Sequence, residues 1–212
     1  MQKLRKQVKS YYPITMSEFW NQRYSAEEFA YGTEPNLFFK EHIEKLTPGK
    51  ILFPAEGEGR NAVYAALLGW DVTAFDVSVE GKRKAELLAA ENGVTINYLH
   101  AGYDDIYFGP ETFDCVVLVF AHIDSDKREE IHRKMISFLK PGGFLLLEGF
   151  AKKQINNNSG GPRDFRLLYS KTELETDFQH LSVLKTEESD VELNEGQFHN
   201  GTASVIRVVG KK

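Results

Sequence analysis

Between residues 50 and 148 the sequence alternates short apolar runs with segments of helical periodicity. The predicted elements of this stretch are strands over 50–54, 71–76, 94–99, 114–120 and 144–148, and helices over 60–68, 80–92 and from Asp126 to about Leu139. Gly69 and Gly93 follow two of these helices, where a left-handed terminal residue is favoured. Asp126 with Glu129 is typical of a capping box. Such alternation predicts a parallel, doubly wound sheet with right-handed crossovers.

Two more strand patterns lie near residues 181–185 and 203–209, and the turn Asn194-Glu195-Gly196 between them predicts an antiparallel hairpin at the sheet edge. A short helix opened by Ser170 precedes them. The expected fold is therefore α/β, with a doubly wound, Rossmann-like, mostly parallel seven-stranded sheet, an antiparallel C-terminal hairpin and helices on both faces. The expected parts are a flexible basic arm at 1–14 and a single domain at 15–212, made of an N-terminal helical lid at 15–46, a cofactor-binding core at 50–150, and a substrate-side loop and hairpin at 151–212.

Composition argues against several classes of protein. The net charge of −5 gives no general attraction to nucleic acid or to anionic membranes. The single cysteine, Cys115, excludes an intramolecular disulfide and a multi-cysteine metal site, so no metal is expected. The longest apolar runs are too short to span a bilayer. We expect a cytoplasmic protein with a small-molecule substrate and no nucleic-acid or membrane partner, and the sequence does not indicate an oligomeric state.

A glycine turn follows the first predicted strand, at the edge where such sheets bind ligands. Gly57 and Gly59 can adopt backbone angles that are closed to other residues, and the helix from Arg60 points free N–H groups at a bound carboxylate. Asp76 ends the second strand, where an acid can accept hydrogen bonds from both hydroxyls of a ribose. Together these features predict a nucleoside-containing cofactor.

Two cofactor classes share this geometry. Gly57, Gly59 and Ala62 fit a dinucleotide fingerprint, which indicates an NAD(P)-dependent oxidoreductase. Glu56 and Glu58 add negative charge to the turn, which is unfavourable beside a pyrophosphate and acceptable beside the ammonium and sulfonium of S-adenosylmethionine. The acids favour S-adenosylmethionine, and the dinucleotide alternative stays open.

Segments spread over about residues 15–210 resemble class I S-adenosylmethionine-dependent methyltransferases, most closely the small bacterial group related to tellurite-resistance and thiopurine methyltransferases. These segments are Trp20-Asn21-Gln22-Arg23-Tyr24, Tyr31-Gly32-Thr33-Glu34-Pro35-Asn36, Gly57-Glu58-Gly59-Arg60-Asn61-Ala62-Val63, Val72-Thr73-Ala74-Phe75-Asp76, Leu139-Lys140-Pro141-Gly142-Gly143 and the tail from Glu195 to Gly201. The resemblance implies methyl transfer from S-adenosylmethionine to a small-molecule acceptor by in-line displacement. The cofactor-binding residues then expected are Glu56, Gly57, Gly59, Asp76, Val77, Gly102, Tyr103 and Phe120.

The chain departs from the class at two places. Ala55 stands near the first glycine of the usual motif, and Gly102 stands where many relatives carry an acid that faces the adenine amino group, which leaves the Tyr103 backbone or Asp104 for that contact. A cofactor-binding protein without transfer activity is therefore a third hypothesis.

On the substrate side, His122 follows the fourth strand and is the candidate catalytic base. Tyr31 is a candidate for covering the cofactor or touching the substrate. Arg163 and Arg166 lie beside a glycine-rich loop and are candidates for binding an anionic substrate. His199 belongs to the resembling tail, but the sequence assigns it no chemical role.

Overall fold

The computed structural model describes residues 15–212, so the basic arm predicted for residues 1–14 lies outside the described residues. The strands are β1 (Lys50–Pro54), β2 (Asp71–Asp76), β3 (Asn97–His100), β4 (Phe113–Val119), β5 (Leu139–Phe150), β6 (Val183–Glu195) and β7 (His199–Lys211). The helices are α1 (Met16–Tyr24), α2 (Leu37–Ile43), α3 (Arg60–Leu67), α4 (Val79–Glu91), α5 (Ser125–Ser137) and α6 (Lys171–Asp177), with short 3-10 turns at Lys152–Asn156 and Phe165–Leu167.

All seven strands form one sheet in the order β3-β2-β1-β4-β5-β7-β6. The first five pair in parallel, and β7 runs antiparallel to both of its neighbours, β5 and β6. The α/β prediction with a parallel core and an antiparallel C-terminal hairpin is confirmed. The strand order reverses between β1 and β4, which opens a crevice at the carboxyl ends of those strands.

The central strand β4 is buried on both faces of the sheet. Cys115 and Val117 pack into one apolar cluster with side chains of α2, α3 and α4. Val116 and Leu118 point the other way, into a second cluster shared with α5 and α6. The central strands are therefore held rigidly, and their carboxyl ends make a firm floor for a site.

Element boundaries differ from the predictions at several elements, among them β5, which runs from Leu139 to Phe150 rather than over 144–148. β3 begins at Asn97 rather than residue 94, because the Val94 amide still donates to Ala89 O at the end of α4. The helix α5 begins at Ser125 and is capped by Asp124, so the expected capping box at Asp126 is wrong. β6 and β7 each run for 13 residues, far beyond the two short strands expected.

The length of the hairpin has a physical reason. The β6 sequence contains four Glu, one Asp and one Asn, which have low strand propensity, but every residue of β6 pairs with β7, from Val183 opposite Lys211 to Glu195 opposite His199. Since β6 is the sheet edge, its polar side chains can remain in solvent while its backbone is satisfied on one side.

The helices of residues 15–212 include none that combines the length and the apolar character needed to cross a membrane.

Candidate functional site

A cavity of about 620 Å³ lies at the carboxyl edge of the sheet, under α1. Nine of the residues expected at the site from the sequence line it: Tyr31, Glu56, Asp76, Val77, Gly102, Tyr103, Phe120, His122 and Arg166. Gly57, Gly59 and Arg163 do not line it. The structure therefore brings most of the predicted residues together, and it gives the two glycines a different part in the site.

Two strand ends at the cavity hold non-glycine residues in left-handed backbone conformations. Ala55 after β1 has φ 51° and Phe120 after β4 has φ 48°. Such residues are uncommon outside glycine, cost of the order of 1–3 kcal/mol each and cluster at functional sites. The Phe120 amide donates to Glu148 O at 2.7 Å, which helps hold its conformation. Both residues line the cavity, so the two strained positions lie at the candidate site.

Glu56 occupies the N-terminus of α3. Its Oε1 atom accepts hydrogen bonds from the amides of Asn61 and Ala62, at 2.9 and 2.8 Å. The free helix N–H groups expected for a ligand carboxylate are therefore taken by the chain itself, which corrects that expectation. Burial raises the pKa of Glu56 to about 7. The Glu56 side chain also lines the cavity wall.

Asp76 is held by two backbone amides. Its Oδ2 accepts from Gly57 N at 3.0 Å and its Oδ1 from Ser78 N at 2.8 Å. The side chain is buried, and burial raises its pKa to about 6 although both hydrogen bonds favour the charged form. Gly57, with φ 65°, thus contributes to the site indirectly. The Gly57 amide points at the Asp76 carboxylate, and Asp76 lines the cavity.

Gly59 serves helix packing. A Cβ atom on Gly59 would lie 2.5 Å from the Cβ of Ala85 in α4, so glycine lets α3 and α4 approach each other closely. Glu58 also turns away from the cavity: its Oε1 lies 2.6 Å from Lys84 Nζ, and both side chains are almost fully buried. Of the two acids that the sequence placed at the turn, only Glu56 contributes negative charge to the cavity, which corrects the expectation for Glu58.

The segment after β3 forms another wall. The Gly102 amide donates to Asp105 Oδ2 at 3.0 Å, and Asp104 pairs with Lys127 at 2.8 Å. All four of these residues line the cavity, together with Tyr103. Many relatives carry an acid at the position of Gly102, and here Asp104 and Asp105 are the nearby acids that can take its place. Of the two, Asp105 accepts a hydrogen bond from the Gly102 amide.

Another part of the cavity lining is aromatic. The His122 ring is nearly parallel to the rings of Trp20 and Phe150, at centroid distances of 6.0 and 6.3 Å. Neither ring nitrogen of His122 has a hydrogen-bond partner within residues 15–212, and burial lowers its pKa to about 4. His122 is therefore a neutral imidazole at physiological pH with no group to fix its tautomer.

His199 is the functional candidate that sequence reasoning missed. It lines the same cavity, and its Nδ1 atom lies 3.2 Å from Glu195 Oε2. Arg60 donates to the same oxygen at 2.8 Å. Burial opposes ionisation, but the His199 hydrogen bond and the Arg60 guanidinium hold the pKa of Glu195 at about 2. The signal available in the sequence was a Glu and a His four residues apart across a hairpin turn.

The two arginines after β5 contribute little to the cavity. Arg163 is exposed, lies outside the cavity lining and donates to Ile155 O and Asn158 Oδ1, at 2.9 and 2.7 Å. Arg166 reaches the rim, where it pairs with Asp164 at 2.7 Å and Asp124 at 3.3 Å. Its charge is thereby compensated within the chain.

Comparison with known proteins agrees with this geometry. Residues 51–143, which run from β1 into β5, match the family model described as "Methyltransferase domain". The chain is 29% identical over 102 residues to the uncharacterized methyltransferase YbaJ of Bacillus subtilis, covering 48% of this chain and 40% of YbaJ. It is 37% identical over 108 residues to the ubiquinone/menaquinone biosynthesis C-methyltransferase UbiE of Pasteurella multocida, covering 49% of this chain and 40% of UbiE. The chain thus spans about two fifths of the length of these curated relatives.

Solved structures match over more of the chain. TehB from Haemophilus influenzae superimposes with a TM-score of 0.70 at 18% identity, covering 92% of this chain and 66% of TehB. A SAM-dependent methyltransferase from Methanosarcina mazei superimposes with a TM-score of 0.66 at 17% identity, covering 84% of this chain and 98% of the other. These likenesses show a shared fold over most of the chain.

Proposed function

We propose that this chain, whose residues 51–143 form a methyltransferase domain and whose fold is that of the class I S-adenosylmethionine-dependent methyltransferases, transfers a methyl group to a small-molecule acceptor. The cofactor is S-adenosylmethionine, which supplies a methyl group on a sulfonium that an acceptor can displace in line. The observation that carries the proposal is the lining of the cavity, which combines the carboxylates Glu56 and Asp76 with two histidines and several aromatic side chains.

The two carboxylates of the lining fit the cofactor. Asp76 presents a fixed carboxylate at the end of β2, suited to two neighbouring ribose hydroxyls. Glu56 presents its carboxylate at the cavity wall, where it can attract an ammonium group. Val77, Gly102 and Tyr103 line the same cavity. The lining thus offers Glu56 to the ammonium group and Asp76 to the ribose of the cofactor.

A dinucleotide is disfavoured by the same contacts. A pyrophosphate needs the free amides at the start of α3, and Glu56 already occupies the amides of Asn61 and Ala62. Binding of the NAD(P) pyrophosphate there would require displacing a carboxylate and placing two like charges together.

For the acceptor we propose that His199 takes the proton as the methyl group is transferred. An Nδ1–H bonded to Glu195 leaves Nε2 free as the proton acceptor, and Glu195 stabilises the imidazolium that forms. The acceptor loses its proton to His199 and gains the methyl group. His122, with no orienting partner, is the alternative base, and Tyr31 and Phe120 would enclose the acceptor. Support for a small acceptor is the size of the cavity, about 620 Å³ for cofactor and acceptor together.

We further propose a cytoplasmic enzyme, supported by its one buried free thiol, Cys115. The net charge of −5 supports acceptors other than nucleic acid.

Calorimetry tests the cofactor assignment. We expect S-adenosylmethionine and S-adenosylhomocysteine to bind in the micromolar range, and Asp76→Ala to weaken binding at least about tenfold, since a desolvated charge-assisted hydrogen bond contributes about 1.5–3 kcal/mol. Asp71→Ala, at the exposed opposite end of β2, is the matched control and should bind normally. Tight NADH binding without binding of either sulfur compound would overturn the proposal, and absence of labelled methyl transfer to small thiols, amines and hydroxyl compounds would leave a cofactor-binding protein.

Cofactor binding should also depend on pH. The raised pKa values of Glu56, about 7, and Asp76, about 6, mean that both groups become neutral as the pH falls below those values. Neutral Glu56 no longer attracts the ammonium group, and neutral Asp76 is a weaker hydrogen-bond acceptor for the ribose. We expect the Kd for S-adenosylmethionine to rise about tenfold between pH 8 and pH 6, one factor of ten per pKa unit crossed by Glu56. Glu56→Gln keeps an oxygen for the α3 amides and should flatten this dependence above pH 7. An equally steep dependence in that variant would contradict the assignment.

A further inference from the structure

Asn36 is a buried amide that joins four parts of the fold. It caps α2 by accepting from the Phe39 amide through Oδ1 at 3.0 Å, and its own backbone amide donates to Asn61 Oδ1 in α3 at 2.9 Å. Its Nδ2 atom donates to Glu148 Oε1 at 2.7 Å and to Glu195 Oε1 at 3.0 Å. Both amide hydrogens are thus used on carboxylates, which fixes the orientation of the amide without ambiguity.

Glu195 is consequently held at both oxygens. Oε1 accepts from Asn36, and Oε2 accepts from Arg60 and faces His199 Nδ1. Glu148, the second carboxylate on the amide, is neutralised separately by Arg207. A carboxylate fixed in this way can hold only one edge of the His199 ring, and it selects the tautomer with the proton on Nδ1.

We propose that Asn36 is a positioning residue of the methyl-transfer site, which orients His199 through Glu195 and so keeps Nε2 of His199 unprotonated toward the cavity. This proposal rests on the proposed function for the use of that nitrogen. Asn36 itself does not line the methyl-transfer cavity; it lies in a second cavity of about 520 Å³ on the far side of Tyr31 and Arg60. In this role, the segment from Tyr31 to Asn36 supports the methyl-transfer site in addition to capping α2.

The imidazole of His199 has several charged or titratable neighbours. They are Glu195 on β6, Arg60 on α3, Arg23 on α1, Tyr31 in the loop before α2, and His122 after β4. Glu195 is the only anion among them, and the two arginines disfavour a charged imidazole. The protonation of His199 therefore depends on how firmly Glu195 is held and on any negative charge added beside it.

Asn36→Asp is the sharpest variant. Aspartate has nearly the same shape and is an equally good helix N-cap, but it has no donor for either glutamate and adds a negative charge to the cluster. The probe is nuclear magnetic resonance of isotope-labelled histidine in the full chain saturated with S-adenosylhomocysteine, with His199→Gln used to assign the His199 signals. We expect the wild-type ring to be in the Nδ1–H form, and the pKa of His199 to rise by at least half a unit in Asn36→Asp.

Two controls separate positioning from folding. Asn36→Ser retains an oxygen for the Phe39 amide but replaces the two amide hydrogens with one hydroxyl on a shorter side chain, which cannot bond to both glutamates. We expect His199 to become a mixture of tautomers while the Kd for S-adenosylhomocysteine stays within twofold. Asn156→Asp makes the same charge change at an exposed residue and should leave the His199 signals unchanged. An unchanged tautomer and pKa in both Asn36 variants would overturn the inference. Full methyl transfer by His199→Gln would instead overturn the proposed base and leave the resonance result intact.

Discussion

Replacing His199 by glutamine is expected to lower kcat about 10²- to 10⁴-fold, the usual contribution of a positioned general base. Glutamine fills a similar space and can still contact Glu195, but it cannot accept the acceptor's proton. The measurement is transfer of labelled methyl from S-adenosylmethionine to whichever of the small thiols, amines and hydroxyl compounds supports turnover. The Kd for S-adenosylhomocysteine should stay within about twofold, because His199 lies beside aromatic side chains of the cavity lining.

Two further variants make this result decisive. His180→Gln changes an exposed histidine and should have wild-type kcat. His122→Gln removes the alternative base, and a larger loss there than in His199→Gln would assign proton transfer to His122. A loss of cofactor affinity in His199→Gln as large as its loss of kcat would point to collapse of the cavity rather than to chemistry.

Replacing Lys84 by methionine is expected to lower the free energy of unfolding by about 3–5 kcal/mol, because it leaves the buried Glu58 carboxylate without its cation. Lys84 also donates to Glu28 O at 2.7 Å, so the variant detaches the segment after α1 from α4 as well. Urea denaturation followed by circular dichroism measures the change, with the slope m checked for a common unfolded state.

The matched control lies one position away on the same helix. Arg83 pairs with Glu80 at 2.9 Å, but both side chains are exposed, so Arg83→Met should cost at most about 1 kcal/mol. Adding Glu58→Gln to Lys84→Met removes the uncompensated charge and should restore part of the stability. Equal effects of Lys84→Met and Arg83→Met would contradict a role for burial.

Most of the fold could be predicted from the sequence, because short segments carry the signals for its strands, helices and turns. The apolar run of β4, the glycine after α3 and the acid at the end of β2 each carry a local signal, and they set the sheet and the position of Asp76. The ends of β6 could not be predicted, because pairing with β7 overrides the weak strand propensity of a polar segment.

The site was harder to predict where its contacts are long-range. Glu56 bonds to the N-terminus of α3, whereas Glu58 points away and pairs with Lys84. The two glutamates are two residues apart, and the sequence alone does not indicate that their side chains leave the turn on different faces. The link from Asn36 to Glu195 joins residues far apart in sequence through one amide. His199 reaches the cavity through the packing of the hairpin against the loop that holds Tyr31, a contact between residues far apart in sequence.

The position of β7 between β5 and β6 has a consequence for the order in which the protein is built. During synthesis the parallel strands can pair as they emerge, and the acids Glu56 and Asp76 can then assemble a cofactor pocket. The outer edge of β5, with its run Leu145 to Leu147, stays unpaired until residues 199–211 arrive. A nascent chain that has not yet released residues 199–211 therefore lacks His199 and has an unpaired apolar strand edge. We expect chaperone binding or aggregation to compete with folding at this stage.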